Sequence, residues 1–371
     1  MRRSFRSPLA GRQDLPERAV PRAETRALLL RGGNGFMAKR SRLQLGQAAT
    51  MAAALFRVHV LRRRSPLFVS WNITFRCNLR CQYCDAHHAR HDEWDVPRIL
   101  AGLDTLWDLG VRWITFGGGE PFVKEGLGKI LSHAKGLGFN VFLSTNGWLA
   151  SQHRTDLASV DHVNISLDGP RDVHDQVRGK GAFDKALEGV DVCREEGVSV
   201  SLLCVLSKYN LDRVDEVIQI AAERGLTVMF QPATRWLNSS EESNQICPPV
   251  DAYRAAVSRL IERKRGGAPI RNSVEGLKHI QHWPDPTPIW CVAGKLISVL
   301  EPDGYVLACH QAQVGAFLRK ECGDAPLAER FRKAPIPAGC VQCWCSPLVE
   351  LALLFSLRPS SIINAFRTLL K

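Results

Sequence analysis

Between residues 67 and 232, short apolar runs alternate with longer stretches that have the period of an amphipathic helix. This alternation predicts parallel β/α units, in which helices cover the outside of a sheet. We expect strands at 67–73, 113–116, 140–144, 162–167, 198–206 and 227–231, and helices at 97–109, 126–137, 150–158, 183–196 and 211–224. The fold class is therefore α/β, and six such units predict a partial (β/α)6 barrel of the TIM type.

Three cysteines, Cys77, Cys81 and Cys84, follow the first predicted strand in a Cys-x3-Cys-x2-Cys pattern. Three thiolates can bind three irons of a four-iron cluster and leave the fourth iron open for a ligand that is not protein. A structural zinc site instead takes four protein ligands, and a histidine between residues 87 and 91 would complete it. A zinc ribbon and a disulfide are the alternatives to an iron–sulfur cluster.

Glycine-rich and polar segments follow the next three predicted strands. Reactive groups of parallel barrels gather at these carboxyl ends of strands. The second strand is followed by glycines 117–119 and Glu120, and a run of glycines lets the backbone approach a ligand closely. The third strand leads into Ser144 and Asn146, and the fourth into Ser166 and Asp168. Taken alone, such residues are also typical of tight turns and caps.

The cysteine pattern, with the aromatic Tyr83 before its last cysteine, resembles the signature of the radical S-adenosylmethionine (radical SAM) superfamily. The resemblance implies a [4Fe-4S] cluster whose open iron is chelated by the amino and carboxylate groups of S-adenosylmethionine. Reduction of the cluster would cleave this cofactor to a 5′-deoxyadenosyl radical, which abstracts hydrogen from a substrate. A reductant such as flavodoxin or ferredoxin is then an expected partner.

The same resemblance implies a set of residues that bind the cofactor. The Gly-Gly-Glu-Pro segment would bind the amino group of its methionine, and polar residues after the later strands would line its ribose and carboxylate. Arg178 would pair with the methionine carboxylate, or else be an ordinary surface arginine. The expected cofactor-binding residues are Tyr83, Gly118, Gly119, Glu120, Ser144, Asn146, Ser166, Asp168 and Arg178.

A second group of cysteines lies in the last quarter of the chain. The Pro-Asp-Gly turn at 302–304 separates two apolar runs, which predicts a hairpin that brings Cys291 and Cys309 near one end. The order of these cysteines, followed by Cys340 and Cys343, resembles the Twitch appendage, a shortened form of the SPASM extension of radical SAM enzymes. It implies an auxiliary [4Fe-4S] cluster on these four thiols, with a zinc knuckle as the alternative. The two remaining nearby cysteines, at 322 and 345, are competing ligands.

Charge separates the first 64 residues from the rest of the chain. They hold 15 of the 49 Lys and Arg residues and 3 of the 37 Asp and Glu residues, so the other 307 residues are neutral overall. A nucleic-acid enzyme would carry its basic surface around its site, so no nucleic-acid partner is expected. We expect residues 1–64 to be a disordered leader with a short amphipathic helix at 44–61. The cysteine usage, without an export signal, favours the cytoplasm.

The predicted domains are the leader at 1–64, the barrel at 65–286, the cluster lobe at 287–346 and an apolar helical tail at 347–371. The tail is expected to pack on the barrel, with peripheral membrane contact as the alternative. The expected function is radical chemistry on a small molecule, a cofactor precursor or a peptide, with the auxiliary cluster handling electrons. An RNA-modifying enzyme and a non-catalytic iron–sulfur or zinc scaffold are the alternative functions.

Overall fold

Six parallel strands follow one another in chain order across the sheet. The structure is a computed structural model, and it describes residues 49–84, 86–88, 92–234, 243–310, 325–334 and 343–356. The strands are β1 (Phe68–Thr74), β2 (Trp113–Gly118), β3 (Asn140–Thr145), β4 (His162–Ser166), β5 (Ser199–Leu206) and β6 (Val228–Pro232). All five neighbouring pairs are parallel, which confirms the six predicted strands and the partial barrel.

The predicted C-terminal hairpin extends this sheet. Strands β7 (Ile297–Leu300) and β8 (Val306–Leu307) are antiparallel to each other, and Gly304 completes the turn with a φ of +83°. Strand β7 lies parallel to β1, with Phe68 opposite Ile297 and Trp71 opposite Leu300. The sheet therefore has eight strands in the order β6-β5-β4-β3-β2-β1-β7-β8 and is open between β6 and β8.

Eleven α-helices occur among the described residues. The first, α1, spans 49–59. The others are α2 (Val96–Asp108), α3 (Leu127–Leu137), α4 (Arg154–Leu157), α5 (Arg171–Arg178), α6 (Ala182–Glu195), α7 (Val214–Glu223), α8 (Val250–Arg265), α9 (Val274–Gln281), α10 (Leu327–Lys333) and α11 (Ser346–Phe355). The predicted helix at 150–158 is divided into the 3-10 helix Ala150–His153 and α4.

The two faces of the sheet differ in burial. In β4, Val163 and Ile165 are fully buried in the main hydrophobic core, whereas His162, Asn164 and Ser166 on the other face are partly exposed. Strand β3 alternates in the same way. Because successive side chains of a strand point to opposite faces, the sheet has one face packed on helices and a second, less buried face, which is concave in a barrel and carries polar side chains.

The two described ends of the chain pack on one another beside β1. Val58 of α1 and Phe355 of α11 are buried in one small apolar cluster with Leu67, and His59 bonds to the carbonyl of Phe355 over 2.9 Å. The expected helix of the tail is thus confirmed for Ser346–Phe355, and its apolar face is used by the protein itself. The leader before residue 49 and the tail after residue 356 lie outside the described residues. None of the described helices is long and apolar enough to cross a membrane.

Candidate active site

The cysteine loop, residues 75–84, leaves the carboxyl end of β1 and is fixed at both of its ends. Near its start, the backbone N–H of Glu120 donates to the carbonyl of Arg76 over 2.9 Å. Near its end, the N–H of Gln82 donates to the carbonyl of Val177 in α5, also over 2.9 Å. The predicted cysteines are thus held between the segment that follows β2 and the helix that follows β4.

The three thiols of the loop are partly buried and affect one another's ionisation. Burial raises the pKa of Cys81 to about 11; Arg178 opposes this rise, and Cys84 and Cys77 add to it. The pKa of Cys77 is also raised, first by burial and then by nearby groups that include Glu120 and Cys84. A bound cation would offset both effects and stabilise the thiolates, so this donor set fits a thiolate-held metal centre, of which an iron–sulfur cluster is one. Within the described part of the chain, no three His, Cys, Asp or Glu side chains stand in the geometry of a metal site.

The glycines after β2 pack directly against the backbone that leads into the cysteine loop. The N–H of Gly119 donates to the carbonyl of Thr74 over 2.8 Å. A Cβ atom on Gly118 would lie 2.4 Å from that carbonyl oxygen, and one on Gly119 would lie 2.2 Å from the carbonyl oxygen of Arg76. Gly118 also has a φ of +105°, which a side chain would disfavour. Both glycines are therefore required for the loop to sit where it does.

Glu120 is buried and joins the ends of β2 and β3. Its carboxylate accepts hydrogen bonds from the Thr145 hydroxyl and the Asn146 N–H, each over 2.8 Å, and from the Phe122 N–H over 3.2 Å. Burial raises the pKa of Glu120 to about 7, although these donors oppose the rise. This carboxylate, predicted to be part of the cofactor-binding set, thus has three protein donors of its own.

Asn146 carries this network to the cysteine loop. Its side-chain amide donates to the side-chain oxygen of Asn78 over 2.8 Å, and its own side-chain oxygen accepts from the N–H of Trp148 over 2.9 Å. Asn78 directly follows the first cysteine. The position of that cysteine therefore depends on a residue at the end of β3.

Asp168 forms a second buried centre, at the end of β4. One carboxylate oxygen accepts from the Nε of Arg178 over 2.6 Å and from the hydroxyl of Tyr83 over 3.2 Å. The other accepts from the N–H of Val205 over 2.9 Å, and the carbonyl of Asp168 accepts from the amide of Asn210 over 2.6 Å. Burial would raise the pKa of Asp168, but the charge and hydrogen bond of Arg178 outweigh it and hold that pKa below its usual value.

Arg178 is 7 % exposed, so its interpretation as a surface arginine is wrong. Its guanidinium lies 5.4 Å from the ring centre of Tyr83 and also donates to the hydroxyl of that tyrosine. Arg178 and Asp168 thereby fix the aromatic residue that precedes Cys84. The two remaining predicted residues, Ser144 and Ser166, lie partly exposed on the concave face of β3 and β4, at the same edge of the sheet.

The second group of cysteines is only partly described. Cys291 and the buried Cys309 belong to one small apolar cluster. Strand β8 runs back toward the amino end of β1, so this pair lies toward the edge of the sheet opposite the cysteine loop. Cys343 is buried in the main core, where its carbonyl bonds to His279 over 3.1 Å. The predicted ligand Cys340 and the competing Cys322 lie outside the described residues.

Sequence reasoning missed an ion pair beneath the cysteine loop. The carboxylate of Glu93 accepts from the N–H of Phe75 over 3.2 Å and from Lys124 over 3.1 Å. Lys124 is buried and also donates to the carbonyl of Trp94 over 2.8 Å. The available signal was its position four residues after Glu120, directly after the apolar residues 121–123.

Comparison with known proteins agrees with this geometry. Residues 71–221 match the family described as the Radical SAM superfamily. The chain is 32 % identical over 205 residues to Fe-coproporphyrin III synthase of Methanosarcina barkeri, which covers 53 % of this chain and 51 % of that protein. It is 27 % identical over 265 residues to the mycofactocin maturase MftC of Mycolicibacterium smegmatis, covering 68 % of this chain and 67 % of the relative. The chain thus spans about half to two thirds of the length of these relatives.

Solved structures share the fold. Streptococcus suis SuiB aligns with a TM-score of 0.62 at 15 % identity, over 76 % of this chain and 70 % of that one. The enzyme anSMEcpe with bound AdoMet aligns with a TM-score of 0.56 at 19 % identity, over 72 % of this chain and 83 % of that one. The resemblance drawn from the cysteine loop is therefore confirmed over residues 71–221, which match the radical SAM superfamily, a family whose enzymes use a [4Fe-4S] cluster and S-adenosylmethionine.

Proposed function

We propose that Cys77, Cys81 and Cys84 hold a [4Fe-4S] cluster and that S-adenosylmethionine binds beside them at the carboxyl edge of the sheet. When bound, this pair supplies a 5′-deoxyadenosyl radical that abstracts hydrogen from a substrate. The substrate would occupy the concave face, where polar side chains of β3 and β4 are partly exposed. The chain's own residues bind, orient and shield these reactants.

The observation that carries this proposal is the double bracing of the cysteine loop. Glu120 and Asn146 hold its first part, and Asp168 and Arg178 hold its last part through Tyr83. Both centres are buried and follow strands whose carboxyl ends meet at one edge. A scaffold that used its metal for structure alone would not need such a braced three-thiol loop beside an open polar face.

The cofactor-binding roles divide according to these contacts. We assign direct contact to the partly exposed Ser144 and Ser166 and to the backbone of Gly118 and Gly119. The side chains of Glu120, Asp168 and Arg178 already bond within the protein, so we assign them the positioning of Asn146, Tyr83 and the cysteine loop. This division deepens the expectation drawn from the resemblance, in which all nine residues contact the cofactor.

An auxiliary [4Fe-4S] cluster on Cys291, Cys309, Cys340 and Cys343 is the second part of the proposal. Cys291 and Cys309 pack in the same small apolar cluster, which supports a shared auxiliary centre. Their location toward the amino edge would place an auxiliary centre across the barrel from the cysteine loop. With four thiol ligands it would have no open iron, which favours electron transfer over substrate ligation.

For the substrate, the names of the relatives suggest two classes. MftC is named as a maturase and the archaeal relative as an iron-coproporphyrin synthase. We propose that this chain modifies either a peptide or a cofactor precursor, with a flavodoxin- or ferredoxin-type reductant. Peripheral membrane contact through residues 357–371 stays a hypothesis outside the described residues.

Anaerobic reconstitution tests the proposal. We expect about eight irons per chain, and electron spin resonance of the reduced protein should change when S-adenosylmethionine is added. The triple variant with Cys77, Cys81 and Cys84 changed to alanine should keep about half of the iron and lose that response. The matched control is Cys193→Ala, which removes a fully buried thiol from α6 and should change neither readout.

Other outcomes separate the alternatives. Four irons that vanish completely in the triple variant, with zinc in the remaining site, would remove the auxiliary cluster from the proposal. No response to S-adenosylmethionine in the wild type would favour the metal scaffold. Salt-dependent RNA binding that survives removal of residues 1–48 would favour an RNA-modifying enzyme.

A further inference from the structure

The concave face carries a second polar cluster, far from the cysteine loop along the strands. His162 and Asn164 of β4 and Ser201 of β5 lie on this face, because the residues that alternate with them are buried in the core. The Nη1 of Arg271 lies 2.9 Å from the Ser201 hydroxyl, 3.1 Å from the His162 Nε2 and 3.2 Å from the Asn164 side-chain oxygen. Arg271 thus reaches over the edge of the sheet onto the face assigned to substrate.

The backbone of Arg271 is held rigidly beside β6. Its N–H donates to the carbonyl of Val228 over 2.7 Å, and the Val228 N–H donates to the carbonyl of Pro269 over 2.9 Å. The next residue, Asn272, is fully buried and makes two hydrogen bonds with the backbone of Phe230, over 2.8 and 3.0 Å. The guanidinium is therefore presented from a fixed strand-like segment.

The charge of Arg271 has no carboxylate partner within ion-pair distance among the residues that the structure describes. Its recorded bonds all go from Nη1 to neutral groups, which leaves Nε and Nη2 without a described protein acceptor. Burial lowers the pKa of Arg271 and the charge of Glu350 opposes this, but the Glu350 carboxylate bonds to the N–H of Ser273 over 2.8 Å. Arg178, in contrast, is paired with Asp168.

His162 does not add a competing charge to the cluster. Burial, with Arg271 adding to the effect, lowers the pKa of His162 to about 4, so the ring is neutral at pH 7. Its Nε2 then accepts from Arg271, and its Nδ1 donates to the Ser199 hydroxyl over 3.0 Å. A half-buried guanidinium bonded only to neutral groups is a strong site for an anion, because a planar fork of donors matches a carboxylate.

The distance of this cluster from the reacting edge limits what can bind there. His162 and Ser166 are the first and last residues of β4, which places them roughly 13 Å apart at the usual rise per residue. A ligand with one end at the cysteine loop and the other at Arg271 would span the concave face.

We propose that Arg271, supported by His162, Asn164 and Ser201, binds a carboxylate of the substrate at the amino end of the barrel. This proposal rests on the proposed function, since it takes the concave face as the substrate site. The carboxylate could be the C-terminus of a peptide or a propionate of a tetrapyrrole, and both are carboxylates on an extended ligand.

Two pairs of probes distinguish these sources. The first pair is N-acetyl-trialanine as the free acid and as its amide, measured by calorimetry. The second is coproporphyrin III and its tetramethyl ester, measured by absorbance. We expect the full chain to bind at least one acid roughly tenfold or more tightly than its neutral partner, since hydrogen bonds to charged groups contribute strongly. Equal binding of acid and neutral forms in both pairs would overturn the proposal.

Variants test the residue. Arg271→Gln should abolish the preference for the acid, whereas Arg112→Gln, which removes an arginine bonded to the carbonyls of Trp107 and Val111, should keep it. A second variant, Asn164→Asp, tests the same site independently of how Arg271→Gln folds. It keeps the arginine and places a carboxylate beside its guanidinium. It should abolish the preference as well, and a preference retained in Asn164→Asp would overturn the assignment.

The failure of this inference is separable from that of the proposed function. Uncoupled formation of 5′-deoxyadenosine, measured on the same preparations with a reductant, reports the cysteine loop and should be equal in wild type and the control Arg112→Gln. Its absence from the wild type would refute the radical chemistry, whatever the probes show.

Discussion

The side-chain amide of Asn146 donates to the side-chain oxygen of Asn78 over 2.8 Å, and this bond links the end of β3 to the cysteine loop. Asn78 follows the first cysteine, and the backbone of Asn146 is itself held by buried Glu120. The loop is thus oriented by a residue 68 positions away in the chain. Its cysteine spacing alone would leave that orientation free.

Loss of this link should weaken retention of the cluster. In Asn146→Ala we expect the reconstituted iron to be released to a chelator several times faster than in the wild type, with little change in overall stability. A net hydrogen bond contributes only about 1 kcal/mol. The control is Asn140→Ala, which removes an asparagine bond of 3.2 Å at the opposite edge of the sheet. Equal release rates from the two variants would contradict this role of Asn146.

The close approach at Gly119 predicts a large effect of one methyl group. Gly119→Ala should lower the free energy of unfolding by about 2 kcal/mol or more, because its Cβ would lie 2.2 Å from the carbonyl oxygen of Arg76. In Gly136→Ala, the new methyl would meet no atom within 4 Å inside α3, and the helix should be unchanged or stabilised by about 0.5–1 kcal/mol. Urea denaturation of both variants checks the contrast. If Gly119→Ala lowered the free energy of unfolding only slightly, the backbone around Gly119 would have to move easily away from Arg76, which would contradict the prediction.

The buried pair of Asp168 and Arg178 should be sensitive to the loss of one partner. Asp168→Asn leaves the guanidinium buried without its counter-charge, which typically costs about 3–5 kcal/mol. The midpoint of thermal unfolding should therefore fall clearly. Asp172→Asn breaks the exposed ion pair with Arg213 and should change the midpoint of thermal unfolding little. If the two midpoints fell equally, the pair would not be the cause.

The raised pKa of Glu120 predicts a slope of stability with pH. The folded chain keeps this proton up to a pKa of about 7, whereas the ordinary value is 4.5, so the free energy of unfolding should fall as pH rises from 4.5 to 7. Above pH 7 both states have lost the proton and this contribution becomes constant. Glu120→Gln should remove that part of the slope, and exposed Glu125→Gln should retain it. Urea titrations of the cluster-free chain between pH 5 and 8 measure both.

Much of the fold was predictable from local patterns. All six parallel strands and the hairpin at 302–304 occur where the apolar runs and the Pro-Asp-Gly turn predicted them. Helix α5 was missed because its residues are mostly polar and give little apolar periodicity. The pairing of β7 with β1 was also unpredicted, since no local pattern specifies which edge of a sheet a hairpin will join.

The candidate site was predictable only as a list of residues. Their place after apolar strands or in the cysteine pattern marks Cys77, Glu120 and Asp168 as candidates. Nothing in their spacing indicated that Asp168 bonds to Arg178, or that Glu120 bonds to Thr145 rather than standing free for a ligand.

The sequence by itself determined the alternation of strands and helices and the spacing of the three cysteines, because both depend on residues near one another in the chain. Only the tertiary structure decided which polar groups become partners. Arg271 meets His162 across 109 residues, and that meeting requires both β4 and the segment beside β6 to be in place. Burial then requires these polar groups to find partners within the protein, as Asp168 and Arg178 do.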